Sequence, residues 1–399
     1  MPDSTHVRKL LGGRARAARE GQRAESMQPD LADAAEAPHP DDVLQRVQTV
    51  MDRMPPEEIG NPEEFRRALA IFIAEADRTL RKLDRNPASP LDRNETLALE
   101  AVIKTDGTRP TLLIRNDSIN PEHPLAGSWR DTLISVRDRI RVRAAAVGRI
   151  EPANASPNRF FGTGWVVDDA KGLVLTNLHV VEAMLEGIPN AMVRTASGFR
   201  ILRDGAFIDF SAEEGSLVKK RFRVVEAAPS PIDGPDFERL DAAVLKIEAI
   251  EGSGGSPPMP KAIPVIADLG GPTGSMSSFC VIGYPGRPEV MSGVVDGVNW
   301  DWVTQTLFGN RFGVKRVAPG IAHRPLGQID DDPQQWIFGH DATTLGGSSG
   351  SPVLAWRDAD FGGFGLHFAG ATVDTNFAHA IAKCRQQLEG LGVPVKDPD

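Results

Sequence analysis

Thirteen residues, Asp341-Ala-Thr-Thr-Leu-Gly-Gly-Ser-Ser-Gly-Ser-Pro-Val353, limit what this chain can fold into more than any other stretch. Seven of them are Gly, Ser or Pro, and they run straight into the apolar Val353-Leu354-Ala355-Trp356. A tight turn of small residues therefore opens directly into a buried strand. Such a turn can hold a reactive hydroxyl, because glycines let the backbone curl until its N–H groups converge where an oxyanion would form. Ser349 stands between Gly347 and Gly350, as that geometry asks. Taken alone, the same pattern also describes a Gly/Ser hairpin or linker.

Two other stretches complete the constellation. Gly162-Thr-Gly-Trp-Val-Val167 is followed by Gly172-Leu-Val-Leu-Thr-Asn-Leu-His-Val-Val181, two apolar strand-like runs of which the second carries His179. In Leu240-Asp-Ala-Ala-Val-Leu-Lys-Ile247 one acid, Asp241, opens an otherwise apolar strand, where it can be desolvated and aimed at an imidazole. The order His179, Asp241, Ser349 is that of the chymotrypsin double barrel; α/β-hydrolases run Ser, Asp, His and subtilisins Asp, His, Ser. Gly347 to Ser351 also lacks the second glycine of the Gly-x-Ser-x-Gly elbow.

The segments Thr176-Asn-Leu-His-Val180, Asp241-Ala-Ala-Val-Leu245 and Gly347-Ser-Ser-Gly-Ser-Pro352 resemble the three catalytic blocks of the trypsin-like serine proteases, in their bacterial glutamyl-endopeptidase-like branch. The resemblance covers roughly the last 250 residues, the size of one two-barrel domain. It implies an all-β double β-barrel of the chymotrypsin type over residues 145–399, and a serine endopeptidase working through an acyl-enzyme. His179 would be the base, Asp241 its orienting acid and Ser349 the nucleophile, with the N–H groups of Gly347 and Ser349 as the oxyanion hole. Ser348 and Ser351 are rival hydroxyls. Asp236, in the turn-rich Gly234-Pro-Asp-Phe237, is the rival acid. A second reading is a catalytically idle trypsin-like scaffold that binds peptides or proteins, although such a binder would not need all three residues.

By the same resemblance the pocket for the side chain before the cut is built from Thr343 to Gly346 and Leu366 to Gly370. Neither segment holds an acid, so a preference for Arg or Lys lacks its counter-ion. Thr344 and His367 look instead like the threonine and histidine with which glutamyl endopeptidases bind an acidic side chain. In the alternative, His367 packs behind the triad and the pocket takes small or apolar residues.

A net charge of −9 and a pI near 5.5 argue against general nucleic-acid binding. Cys280 and Cys384, the only cysteines, lie in an apolar strand and a helical pattern, which suits two buried free thiols rather than a disulfide. His323, His340, His367 and His379 are scattered without Cys or carboxylates at ligand spacing, so no metal site and no cofactor are expected. Neither a secretory h-region nor a membrane-spanning run is present near the basic N-terminal residues, and a cytoplasmic location is the expectation.

Residues 1–40 are polar and low in apolar periodicity, which predicts a flexible tail. Residues 41–144 form a mainly helical accessory region. Val43, Leu44, Val47, Val50, Met51 and Met54 recur at helical spacing, and Asn61-Pro-Glu-Glu-Phe65 starts a helix reaching Leu83 or Arg85. Strand-like pieces follow at Leu97 to Ile103 and Pro110 to Arg115, then a helix over Ser128 to Arg143. This region is where a protein partner would act, as regulator or targeting element. Residues 145–399 are the protease-like domain, with Val147 to Glu151 as its first strand and a final helix over Phe377 to Leu388. No trypsin-like activation start, a basic residue followed by Ile-Val-Gly-Gly, precedes that first strand, so activity without cleavage is expected.

Overall fold

The turn-punctuated sequence after residue 145 folds as strands whose polar positions face out. In Arg221–Pro229 the buried Phe222, Val224 and Ala227 alternate with more exposed neighbours, and in Ala243–Ala249 Lys246, Glu248 and the terminal Ala249 are the exposed positions. The structure, a computed structural model, describes residues 109–398 apart from 203, 231–239, 251–256, 271, 273–277, 289–293, 296–297, 301–302, 330–331, 357–360 and 372–374. Arg78, Arg81 and Lys82 are also described; all three are helical and fall within the helix expected from Asn61. The tail 1–40, the helix over 43–54, the strand piece 97–103 and Asp236 lie outside the described residues.

Six antiparallel strands close into a barrel. Ala243–Ala249 pairs with Leu173–Thr176, followed in order by Gly162–Asp168, Val147–Pro152, Ala206–Asp209 and Arg221–Pro229, and the last pairs back with Ala243–Ala249. Closure removes the free sheet edges that would otherwise invite pairing with another chain. Met192–Thr195 and Gly198–Ile201 extend one side as a hairpin. Trp165, Val174, Phe222 and Leu245 are fully or nearly fully buried in this half.

The second sheet runs Ala322–Arg324, Ile337–His340, Thr375–Ala380, Gly363–Ala371, Pro352–Leu354, Phe279–Gly283 and Arg316–Gly320. Its core gathers Phe279, Val281, Phe338, Val353 and Phe364, with the Phe279 and Phe364 rings edge to face at 5.5 Å. Each such ring buried from water contributes about 1.5–3 kcal/mol. The sheet continues upstream of residue 145. Leu112–Arg115 and Ser118–Ile119 form a hairpin whose turn residues Asn116 and Asp117 both have positive φ, 53° and 59°, and Ile114 N–H donates to the Lys315 carbonyl at 3.0 Å. Lys315 itself is fully buried, its ammonium donating to the Ala144 and Phe210 carbonyls at 2.8 Å and pairing with Glu213 at 2.9 Å. Asp117 joins this cluster through Lys220 at 2.9 Å, and although burial opposes its ionisation, Lys315 and Lys220 hold its carboxyl below the usual range.

Of two helical expectations in the described residues, one changes. The helix over Arg130–Ala144 is present and buries Leu133, Val136, Ile140 and Ala144. The final helix is only Arg385–Gly390, because Thr375–Ala380 is a strand paired on both sides, with Ile337–His340 and with Gly363–Ala371. Two-sided pairing overrides the helical spacing of Phe377 and its successors. Cys280 and Cys384 are buried free thiols, and burial pushes both thiol pKa values up. The described residues among 121–135 and 289–311 belong to a second compact unit, in which Pro124–Trp129 forms a short 3-10 helix and Arg130 pairs with Glu122 at 2.7 Å. No described helix is long and apolar enough to cross a membrane.

Candidate active site

His179 lies in the first turn of the helix Leu178–Gly187, not on the preceding strand, which ends at Thr176. Between them Asn177 is extended, φ −85° and ψ 156°, and its amide donates to the Asp241 carbonyl at 2.8 Å instead of capping the helix. The cross-link sets Asp241 against the helix start. His179 N–H donates to Asp241 Oδ1 at 3.0 Å, and its Nδ1 lies 2.6 Å from Oδ2. Asp241 is 1% exposed whereas the His179 side chain is 32% exposed, so a buried carboxylate grips one edge of a ring whose other edge is open. An ionised acceptor with two donors makes the stronger kind of hydrogen bond.

The Ser349 turn is fixed by its glycines and by Thr163. Gly347 and Gly350 have φ of +90° and +88°; a Cβ on Gly347 would meet Phe160 Cζ at 2.6 Å, and one on Gly350 would collide with the Thr163 carbonyl. Thr163, fully buried on the first barrel, donates its hydroxyl to the Gly347 carbonyl at 2.8 Å and accepts from Tyr284 N–H at 3.1 Å, while its own N–H donates to the Ser349 carbonyl at 2.9 Å. Gly162 lets the two halves meet: a Cβ there would lie 2.7 Å from Val180, the neighbour of His179, and 3.1 Å from the Ser349 carbonyl. Within the turn the N–H groups of Ser348, Gly350 and Ser351 donate to Leu345, His367 and Ser348 carbonyls, whereas those of Gly347 and Ser349 have no partner among the described residues. Among the described residues Ser349 Oγ reaches the Phe368 carbonyl alone, at 3.4 Å. The rival hydroxyls are buried, Ser348 at 2% exposure and Ser351 at 0%, and Ser351 spends its proton on the Ser348 carbonyl at 2.5 Å.

Residues 162–361, half of the chain, match the family model of the trypsin-like peptidase domain. The chain is also 40% identical over 387 residues, 96% of this chain and 97% of the other, to a Lysobacter enzymogenes protein named a probable serine protease. The chain belongs to the trypsin-like peptidase family. As a member it is a hydrolase of the serine-protease class. Among solved structures it is similar to the Rv3671c protease of M. tuberculosis in an inactive form, at 17% identity and a TM-score of 0.33 over 65% of this chain and 96% of that one. It is similar also to the structure of GrC, at 11% identity and a TM-score of 0.40 over 62% and 94%.

The segments 343–346 and 366–370, expected to line the pocket, hold no Asp, Glu, Lys or Arg. Thr344 donates its hydroxyl to Asn376 Oδ1 at 2.8 Å, and the Asn376 amide donates to the Ala342 carbonyl at 2.8 Å. His367 is 3% exposed, and its Nδ1 faces His340 Nε2 at 3.2 Å. Burial, with the nearby His179 adding to it, pushes His367 down to about 3, against a hydrogen bond to the Phe377 backbone, so the ring is neutral. Thr344 and His367 therefore occupy separate hydrogen-bonded pairs in this arrangement. The histidines that are scattered in sequence do gather: His340, His367 and His379 lie on the adjacent strands Ile337–His340, Gly363–Ala371 and Thr375–Ala380. Among the described residues no group of His, Cys, Asp and Glu side chains gathers as a metal site. Thr163, Asn376 and His379 escape a sequence reading of the site. Only Thr163 carries a local signal, its place between Gly162 and Gly164.

Proposed function

We propose that the chain is an endopeptidase whose His179, Asp241 and Ser349 act as a triad through an acyl-enzyme. The observation that carries this reading is the buried Asp241 carboxylate gripping both the backbone N–H and Nδ1 of a part-exposed His179. With Nδ1–H committed to Asp241, Nε2 is the nitrogen left to take the Ser349 proton as Oγ attacks the peptide carbonyl. The tetrahedral oxyanion then accepts from the free N–H groups of Gly347 and Ser349, each worth about 3 kcal/mol of barrier. His179 returns the proton to the leaving amine, and a water activated by the same ring hydrolyses the ester. The long contact from Ser349 Oγ to Phe368 leaves the hydroxyl free to turn toward the imidazole, as is common before substrate binds.

The finer proposal is a preference for an acidic residue before the cut. No described residue of Thr343–Gly346 or Leu366–Gly370 is an acid, and the Thr344 hydroxyl and the His367 imidazole would turn from Asn376 Oδ1 and from His340 to donate to an incoming carboxylate. A proteome-derived peptide library incubated with wild type and with Ser349→Ala tests both levels. Products dependent on Ser349 and enriched in Glu or Asp before the cut, with the enrichment weakened by Thr344→Val, support both. Enrichment of Ala, Val or Leu sinks the acidic preference, and no Ser349-dependent products at all would favour the idle scaffold.

A further inference from the structure

Asp241 sits just before the strand Ala243–Ala249, so its backbone N–H has no ladder partner, yet the residue is 1% exposed. A buried N–H in that position must find an acceptor elsewhere in the fold. It finds one on the other sheet: His379 Nε2 accepts it at 3.2 Å. His379 is itself 1% exposed, on the strand Thr375–Ala380, and its ring stacks on Phe368 with centroids 4.2 Å apart and planes 13° from parallel. Phe368 in turn supplies the carbonyl that Ser349 Oγ contacts. One imidazole thus touches the backbone of the acid on one side and the residue behind the nucleophile on the other.

We infer that His379 is a positioning residue: as a neutral ring it accepts the Asp241 N–H, rests on Phe368, and so holds the Asp241–His179 pair in register with Ser349. This rests on the triad reading above. The tautomer follows from the contact, since an Nε2 that accepts must be unprotonated, which puts the single proton on Nδ1, a nitrogen with no hydrogen-bond partner among the described residues. Burial pushes the ring down to about 4, opposed by the Asp241 carboxylate and aided by His179, which keeps the acceptor available at neutral pH. With Asn177 holding the Asp241 carbonyl and His379 its N–H, both sides of the acid's backbone are tied, and the carboxylate has one direction in which to point.

The test uses the full chain and a fluorophosphonate probe, whose inactivation separates binding, KI, from reaction at Ser349, kinact. His379→Phe keeps the stack and removes the acceptor; kinact should fall about tenfold with KI changed less than about twofold, the loss of one hydrogen bond expressed in the reacting arrangement alone. His379→Gln, whose amide oxygen can accept, should recover most of that loss. Equal losses in the two variants, or an unchanged kinact in His379→Phe, would overturn the inference. Nitrogen NMR of the wild type decides independently of how the variants fold: Nδ1–H with a bare Nε2 supports the assignment, and a proton on Nε2 refutes it. Ser349→Ala, run alongside, separates the two levels, because persistent labelling there defeats the triad reading itself.

Discussion

Thr163 is the residue on which the nucleophile turn hangs. Its hydroxyl is fully buried and serves two partners, the Gly347 carbonyl and Tyr284 N–H, while its N–H holds the Ser349 carbonyl. Thr163→Val keeps the shape and strands both partners, which should cost about 1–3 kcal/mol of stability. Because Thr163 holds the carbonyl of Gly347, whose own N–H is one of the two proposed oxyanion donors, the same change should lower kcat more than it raises KM. Urea unfolding and steady-state kinetics on one peptide measure both; an unchanged kcat in a destabilised protein would mean that Thr163 is structural only. The candidates His179, Asp241 and Ser349 could be picked out in the sequence because each stands inside a contiguous block with its own turn or strand. Thr163 and His379 could not, because their roles depend on partners far along the chain, Gly347 in one case and Asp241 in the other.

At the scale of elements, patterning worked where one face of a segment decides its structure. The three- and four-residue spacing of Leu133, Val136 and Ile140 gave the helix that forms. It failed where neighbours decide. Phe377 to Ala380 carries apolar residues at positions that suit a helix, yet the segment is held as a strand between two others. His179 reads as the end of an apolar strand, Leu-Val-Leu followed by Val-Val, but Asn177 reaches to the Asp241 carbonyl and the chain turns into a helix there. That turn places both the N–H and the ring of one residue on the same carboxylate. The hairpin over 112–119 shows a third kind of miss. Its first strand is legible in Pro110 to Arg115, but that it extends the second sheet through Lys315 depends on a partner about 200 residues away.

The whole molecule carries its buried histidines as an acid-sensitive load. His367 and His379 are neutral in the folded state, pushed from 6.5 down to about 3 and about 4 mainly by burial. Above 6.5 neither folded nor unfolded chain is protonated at these rings, and no stability is lost. As pH falls below 6.5 the unfolded chain takes up protons that the folded one refuses, and each ring removes about 1.4 kcal/mol per pH unit until its folded value is reached. Urea midpoints at pH 7.5, 6 and 5 should therefore fall more steeply for wild type than for His379→Gln, and parallel curves would show that the ring is solvated. The central claim, that Ser349 is the nucleophile activated by His179 on Asp241, is tested most directly by intact-mass and peptide-map analysis after fluorophosphonate labelling. One adduct on Ser349, absent from Ser349→Ala, nearly absent from His179→Ala and retained in Ser351→Ala, is the predicted result. An adduct on Ser348 or Ser351, or labelling that survives Ser349→Ala, would contradict it.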